Sequence, residues 1–298
     1  MALTLLAPAK VNLTLEALGR RGDGYHEIVS LVQTIELADR VRIEPSDSLE
    51  LAITGEAVLG VPLEGPRNLA FKAAQALTEA AARPALTARI VLEKQIPAGL
   101  GLGGGSSDAA AALRGLDRFW GLALPHEALL AAAAGVGSDV PFFLEGGAAL
   151  LSGRGERVEP LPDQAPRDLT LFLGDLETED KTRRMYAALT PADFSDGRRG
   201  HVAAAAFRRG LPLAKTDLVN VFDRHLATVA PPLAAAIELC RDAGLAVHAL
   251  GSGPGFFTPA PLAAVPGPLL HELRAAWGVR ALACRSLGRE AALAIGES

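Results

Sequence analysis

Cysteine, lysine and tyrosine are scarce in this 298-residue chain, and each scarcity narrows the reading. Two cysteines, Cys240 and Cys284, are too few for a disulfide framework or for a zinc site of their own. They read as small buried hydrophobes of a reduced, cytoplasmic protein. Mean hydropathy is positive at +0.24, yet no apolar run reaches the length of a bilayer span. The longest, Ala128–Gly137, is about half of the roughly 20 residues required. The apolar start, Met1–Ala9, lacks a basic n-region, and Lys10, Asn12 and Glu16 then break the apolar character of the chain. It is expected to be a buried strand rather than a secretory signal. Basic residues do not dominate: 29 Lys+Arg stand against 34 Asp+Glu, a net charge of −5, which argues against electrostatic capture of nucleic acid or anionic lipid. Only Lys10, Lys72, Lys94, Lys181 and Lys215 are lysines, so a lysine in an apolar setting stands out.

The remaining composition is that of a globular protein, and at roughly 150 residues per domain the chain has room for two. Val11, Leu13, Leu15 and Ala17 alternate with polar residues, the mark of a half-buried strand. Gly19–Gly24 is a turn cluster, with strand character resuming at Ile28–Ile35 and Arg40–Glu44. Asn68 stands as an N-cap before a helix over Leu69–Ala82, and Arg89–Glu93 reads as a strand. Ser106, Ser107 and Asp108 open a helix that continues over Ala109–Trp120. A second helix is predicted over Pro125–Ala134, with Gly135 as its stop, and strands over Phe142–Leu151 and Arg157–Pro160. The Pro-rich stretch Pro160–Arg167 is the best boundary, dividing the chain into 1–160 and 161–298. Beyond it, strands are predicted at Leu169–Leu173, Ala246–Leu250 and Val279–Cys284. Helices are predicted at Asp180–Leu189, Asp217–Val229, Pro232–Ala243 and Leu269–Trp277. Strands and helices without strict alternation imply an α+β protein.

The stretch Pro97-Ala98-Gly99-Leu100-Gly101-Leu102-Gly103-Gly104-Gly105-Ser106-Ser107 sits between a predicted strand and a predicted helix. Glycine lets backbone N–H groups approach a ligand without a Cβ in the way. The helix after it presents unpaired N–H groups and the positive end of its dipole, a ready site for phosphate. Gly99-x-Gly101-x-x-Gly104 formally satisfies a dinucleotide fingerprint, but the acidic residue expected about 20 residues on falls in a helix and turn. A P-loop fails because no lysine follows the last glycine. The loop calls for a nucleotide site of another type.

These residues resemble the phosphate-binding motif of the GHMP kinases. Ala7-Pro8-Ala9-Lys10-Val11-Asn12-Leu13, Gly22-Asp23-Gly24-Tyr25-His26-Glu27 and Gly137-Ser138-Asp139-Val140-Pro141-Phe142 extend the likeness over most of residues 7–160. They resemble the branch that phosphorylates the 2-hydroxyl of a cytidine diphosphate-linked methylerythritol in the non-mevalonate isoprenoid route. The resemblance is sparser later, at Thr182-x-x-x-Tyr186 and Leu250-Gly251-Ser252-Gly253, and residues 174–181 fit the pattern poorly. Homoserine or mevalonate kinases, and a non-catalytic nucleotide-binding regulator, stay open beside it. Tyr25-His26 speaks against the first, and retained Lys10 and Asp139 against the second.

The resemblance implies a two-domain GHMP fold, the N-terminal part like the second domain of ribosomal protein S5 and the C-terminal part ferredoxin-like. It implies ATP as phosphate donor and Mg²⁺, whose protein ligands the sequence leaves unknown. Asp139 is expected to take the proton of the acceptor hydroxyl and Lys10 to orient it and offset developing charge. Asn68, Lys94 and the 97–107 loop are expected at ATP, and Asn12, Tyr25, His26, Thr182 and Tyr186 at the acceptor. Tyr25 and Tyr186 are the chain's two tyrosines, placed to stack on a pyrimidine. His26 has a donor and an acceptor with which to read cytosine's edge. Gly251–Gly253 is given a supporting role.

Overall fold

The computed structural model describes residues 2–58, 60–61, 65–83, 86–174, 181–211 and 217–297. The first part of the chain runs β1 (Leu3–Asn12), β2 (Thr14–Arg20), β3 (His26–Glu44), β4 (Leu49–Gly55), α1 (Leu69–Ala80), β5 (Ala88–Lys94), α2 (Gly104–Phe119), α3 (His126–Val136), α4 (Val140–Glu145), β6 (Ala148–Gly153) and β7 (Arg157–Pro160). Then come β8 (Asp168–Leu173), α5 (Lys181–Ala188), α6 (Arg198–Arg208), β9 (Val219–Asn220), α7 (Leu226–Val229), α8 (Pro231–Asp242), β10 (His248–Ala249) and β11 (Phe256–Thr258). The chain ends with α9 (Gly267–Trp277), β12 (Arg280–Arg285), α10 (Arg289–Ala292) and β13 (Ile295–Glu297).

Among the described residues these strands make two sheets, of nine and four strands. The 19-residue β3 is the spine of the larger one and pairs antiparallel with β1, β2, β5 and β6. Helices α1–α4 supply Ala73, Leu77, Leu113 and Phe142 to one core with Leu5, Ile43 and Leu92 of the strands. The alanine run of α2 lets that helix lie close; a Cβ at Gly115 would overlap Ile43. The smaller sheet runs β10-β11-β8-β12 and packs Phe172 and Phe256, stacked at 4.7 Å, against Leu233, Ile237, Leu269 and Leu273 of α8 and α9. The chain returns to the larger sheet through β9, parallel to β2, and β13, against β1.

Several elements differ from the sequence expectation. The alternating stretch 11–17 is not one strand: it breaks at Leu13, whose N–H bonds to Leu31 O at 2.8 Å. The expected pause between residues 35 and 40 is instead a bulge inside β3, where register slips opposite Pro8/Ala9 and Asp39 is buried. Helix α2 begins at Gly104, inside the glycine run, and Gly135 does not stop α3, which ends at Val136 with Gly137 as its cap. Pro125 precedes that helix as its N-cap. Phe142–Glu145 is the end of α4, not strand; a short apolar run fits either until packing decides. Residues 217–229 hold β9, a 3₁₀ turn over Val221–His225 and α7 rather than one helix. Only His248–Ala249 of the strand expected at 246–250 pairs.

The two glycine-rich segments touch backbone to backbone. A Cβ at Gly253 would overlap Leu100 and Gly101, and one at Gly101, whose φ is +85°, would overlap Leu250 O. Gly253→Ala is therefore expected to cost ~1–3 kcal/mol or more, as overpacking against backbone does. Gly135→Ala, inside α3 with open space where its Cβ would stand, should stabilise by roughly 0.5–1 kcal/mol. Thermal unfolding of the two variants should move Tm in opposite directions.

Candidate active site

The glycine loop joins the end of β5 to the start of α2, and both ends rest on one buried charge cluster. The Lys94 ammonium bonds to Asp39 and, at 2.6 Å, to Asp108 near the start of α2. The other oxygen of Asp39 accepts the N–H groups of Gln95 and Ile96, at 2.5 and 2.8 Å. Burial opposes the Lys94 charge, but Asp108 and Asp39 outweigh it and hold its pKa above the ordinary value. Burial, reinforced by the neighbouring Asp39, pushes Asp108 up to about 7 against the pull of Lys94.

Above this cluster lies a cavity of about 320 Å³ lined by Pro97–Ser106, Asn68, Lys94 and Asp108. Leu100 and Leu102 send their side chains into the core beside Leu250 and Phe257, so these two positions offer backbone to the cavity. Gly103, at φ +75°, is the N-cap of α2; a Cβ there would crowd Phe143 at 2.8 Å and Lys10 at 3.2 Å. Ser107 does not line the cavity: it is buried, its N–H bonds to Gly103 O, and its hydroxyl has no partner. Asn68 caps α1 by accepting the Ala70 N–H at 2.9 Å, in agreement with its position in the sequence, and it also reaches the cavity wall.

Lys10 lies beside Gly103 on β1, with its backbone N–H on Leu102 O at 3.0 Å. Its ammonium donates to Asn12 Oδ1 at 2.7 Å; Asn12 in turn donates to Ser30 Oγ, which donates to Thr14 O. Burial lowers the Lys10 pKa, and the charge of Asp139 acts in the opposite direction. Asp139 occupies the N-cap position of α4, but its side chain makes no capping bond. It faces instead a cavity of about 830 Å³. Asn12, spent on Lys10 and Ser30, does not line that cavity.

The larger cavity gathers Tyr25, His26, Asp139, Thr182 and Tyr186, from distant parts of the sequence. His26 lies 5.3 Å from Tyr186 and 6.1 Å from Phe194, ring centre to ring centre. Tyr186 is braced edge-on by Phe222 at 4.9 Å. Burial and then the Arg20 charge lower the His26 pKa, so the imidazole is neutral at pH 7. Tyr25 is 55% exposed, and the Arg154 guanidinium lies over its ring at 4.8 Å. Thr182 Oγ1 meets Ser252 Oγ at 3.0 Å.

The second glycine segment is held from both sides. Lys181 donates to the carbonyls of Ser252 and Gly253, and Asn220 to those of Ala249 and Gly251. A Cβ on Gly251 would lie 3.2 Å from Asn12 Oδ1 and 3.5 Å from Lys10 Nζ. Burial lowers the Lys181 pKa to about 7 against the charge of Asp223. Residue order alone does not single out Phe194, Arg20, Arg154, Lys181 or Asp39 for the site. Lys181 carries a signal, as one of five lysines, but it follows 175–180, part of the poorly matching stretch, which lies outside the described residues.

Residues 68–147 match the GHMP kinases N terminal domain. The chain is 37% identical over 258 residues to 4-diphosphocytidyl-2-C-methyl-D-erythritol kinase of Dehalococcoides mccartyi, covering 86% of this chain and 88% of the relative. A crystal structure of 4-(cytidine 5'-diphospho)-2C-methyl-D-erythritol kinase superposes with a TM-score of 0.75 at 36% identity, over 96% of this chain and 99% of that one. Homoserine kinase from Cytophaga hutchinsonii shares the fold, with a TM-score of 0.71 at 17% identity over 99% of this chain and 97% of that one. A glycine loop over a helix N-terminus, with Lys10 beside Gly103 and Asp139 at the adjoining cavity, belongs to the same pattern, and the chain is a member of the 4-diphosphocytidyl-2-C-methyl-D-erythritol kinase family of GHMP kinases.

Proposed function

We infer that the protein transfers the γ-phosphate of ATP to the 2-hydroxyl of 4-diphosphocytidyl-2-C-methyl-D-erythritol. One observation carries this reading: the cavity that holds the aromatic groups also holds Asp139, whose carboxylate is not spent on capping. Residues before 160 supply the nucleotide loop, Lys10 and Asp139, while Thr182, Tyr186 and the second glycine segment come from beyond it. ATP lies with its phosphates along residues 97–106, where loop N–H groups and the α2 dipole favour negative charge. Asn68 and Lys94 complete that wall.

Asp139 accepts the hydroxyl proton as the oxygen attacks phosphorus, in the manner of phosphoryl transfer generally. Lys10, oriented by Asn12, offsets charge developing between nucleotide and acceptor. Cytosine stacks against Tyr25 and Tyr186, and neutral His26 presents one donor and one acceptor to its edge. Mg²⁺ would offset phosphate charge during transfer; among the described residues no three His, Cys, Asp or Glu side chains cluster to hold a metal. Cys240 and Cys284 are free and buried, in keeping with the reducing cytoplasm in which we place the protein. Among the described residues no helix is long and apolar enough to cross a membrane.

ADP release measured with the diphosphocytidyl acceptor, homoserine and mevalonate in turn tests the assignment; phosphorylation of homoserine or mevalonate in preference to the first would overturn it. Asp139→Asn keeps side-chain volume and removes the proton acceptor, so turnover should fall roughly 10²–10⁴-fold with both substrates still bound. Retention of more than a tenth of wild-type turnover would refute Asp139 as the base.

Recognition of the base is a separate expectation. A site built for one hydrogen-bonding edge rejects the other because its own polar groups are left unpaired. Tyr25→Ala should weaken CMP and UMP alike as competitors, by the ~1–3 kcal/mol of a base–aromatic stack. His26→Ala should narrow the gap between them. Equal competition by CMP and UMP against the wild type would remove His26 as the reader.

A further inference from the structure

The wall of the acceptor cavity carries a charge pattern that catalysis by Lys10 and Asp139 does not use. Arg20, Arg154 and Arg183 line it, and among the described residues Asp139 is its one acidic member. This is a surplus of guanidinium groups in a chain whose net charge is −5. Arg154 stands out by position. Its guanidinium lies 4.8 Å above the ring of Tyr25, at the nucleoside end. The next residue, Gly155, is beside the reacting end: a Cβ built on it would lie 3.6 Å from Asp139 Oδ1. Arg154 therefore spans the interval between the place of the base and the place of the hydroxyl.

Its donors are also available. The Arg154 backbone N–H is taken by Glu156 at 2.6 Å, but among the described residues no carboxylate forms an ion pair with the guanidinium. Asp23 feels its charge only at longer range. The group lies over the Tyr25 ring, and the fork of a guanidinium suits paired phosphate oxygens. The turn on which it sits is short, lying between β6 and β7, so the side chain has a rigid base.

On the reading of the acceptor given above, we propose that Arg154 binds the diphosphate bridge of the substrate, holding it between the cytidine clasp and Asp139. The group makes charge-assisted hydrogen bonds to the two phosphates. It also braces Tyr25, so that the exposed ring is already placed when the nucleoside arrives.

Steady-state kinetics of Arg154→Met, with CDP and cytidine as competitors, test this. The variant should raise KM for the diphosphocytidyl acceptor roughly ten- to a hundredfold, as loss of hydrogen bonds to a charged group does. Its kcat should stay within about threefold of wild type and Tm should be unchanged. The inhibition constant of CDP should rise with KM while that of cytidine stays nearly constant, and Arg154→Lys should recover part of the CDP loss. Equal weakening of CDP and cytidine would overturn the proposal and leave Arg154 as a brace for Tyr25, an effect Tyr25→Leu would then reproduce. An unchanged KM would overturn it outright. Should Arg154→Met fold poorly, Arg154→Gln gives the same comparison with a polar side chain. Failure of both CDP and cytidine to compete against the wild-type enzyme would instead refute the cytidine acceptor itself, and the proposal with it.

Discussion

Beneath the phosphate loop, two carboxylates and one ammonium meet out of reach of water, and the loop's shape depends on how they share charge. Asp39 comes from beside a bulge in the longest strand, Lys94 from the end of β5, and Asp108 from near the start of α2. Asp39 also takes two backbone N–H groups at the loop's entrance. The cluster therefore ties entrance and exit of the loop to the same point on the spine of the sheet. Removing one member of a buried ion pair usually costs about 3–5 kcal/mol, because the partner is left charged and unsolvated. Here that cost would be concentrated where the nucleotide binds. Burial first, and then the second carboxylate of Asp39, push Asp108 up to about 7 against the pull of Lys94.

A second constraint comes from the meeting of the two glycine segments. With Gly101 against Leu250 and Gly253 against Leu100, no side chain separates the backbones. The C-terminal segment can then approach Lys10 through Gly251 while Lys181, Thr182 and Asn220 hold it from behind. Lys10 thus has main chain on both sides, at Gly103 and Gly251. Main chain carries fixed dipoles and little conformational freedom to lose.

Much of this is legible in residue order, and the part that is not has physical causes. Asn68 can be read as a cap because capping is local: a short polar side chain directly before periodic apolar residues. Lys10 and Asp139 can be named through motif likeness, but that the charge of Asp139 reaches the Lys10 ammonium depends on the fold, which spacing cannot give. Phe142 reads as strand although it is helical, because a short apolar run carries no period of its own. Asp39 is one of several charged residues of β3, beside Glu36, Arg40 and Arg42, and nothing in residue order marks it as the buried one. Phe194 and Arg154 give no signal at all. Each is an ordinary residue in a loop until the fold sets it against His26 or Tyr25.

The division of labour between the two clusters of charge comes from burial. Lys94 is enclosed with its counterions, so its field is spent locally and its work is to fix backbone. Lys10 is buried with a neutral amide and has Asp139 as its opposing charge, and burial lowers its pKa. Its ammonium is therefore held at some cost and is relieved by any anion that enters. On the function proposed above, a triphosphate arriving along the glycine loop supplies that anion. The same low-dielectric setting that destabilises Lys10 in the free protein strengthens its attraction for the transferring phosphate. Arginine could not substitute easily, since its broader fork would not fit between Gly103, Asn12 and Gly251. In a chain that otherwise prefers arginine, that restriction accounts for lysine at this position.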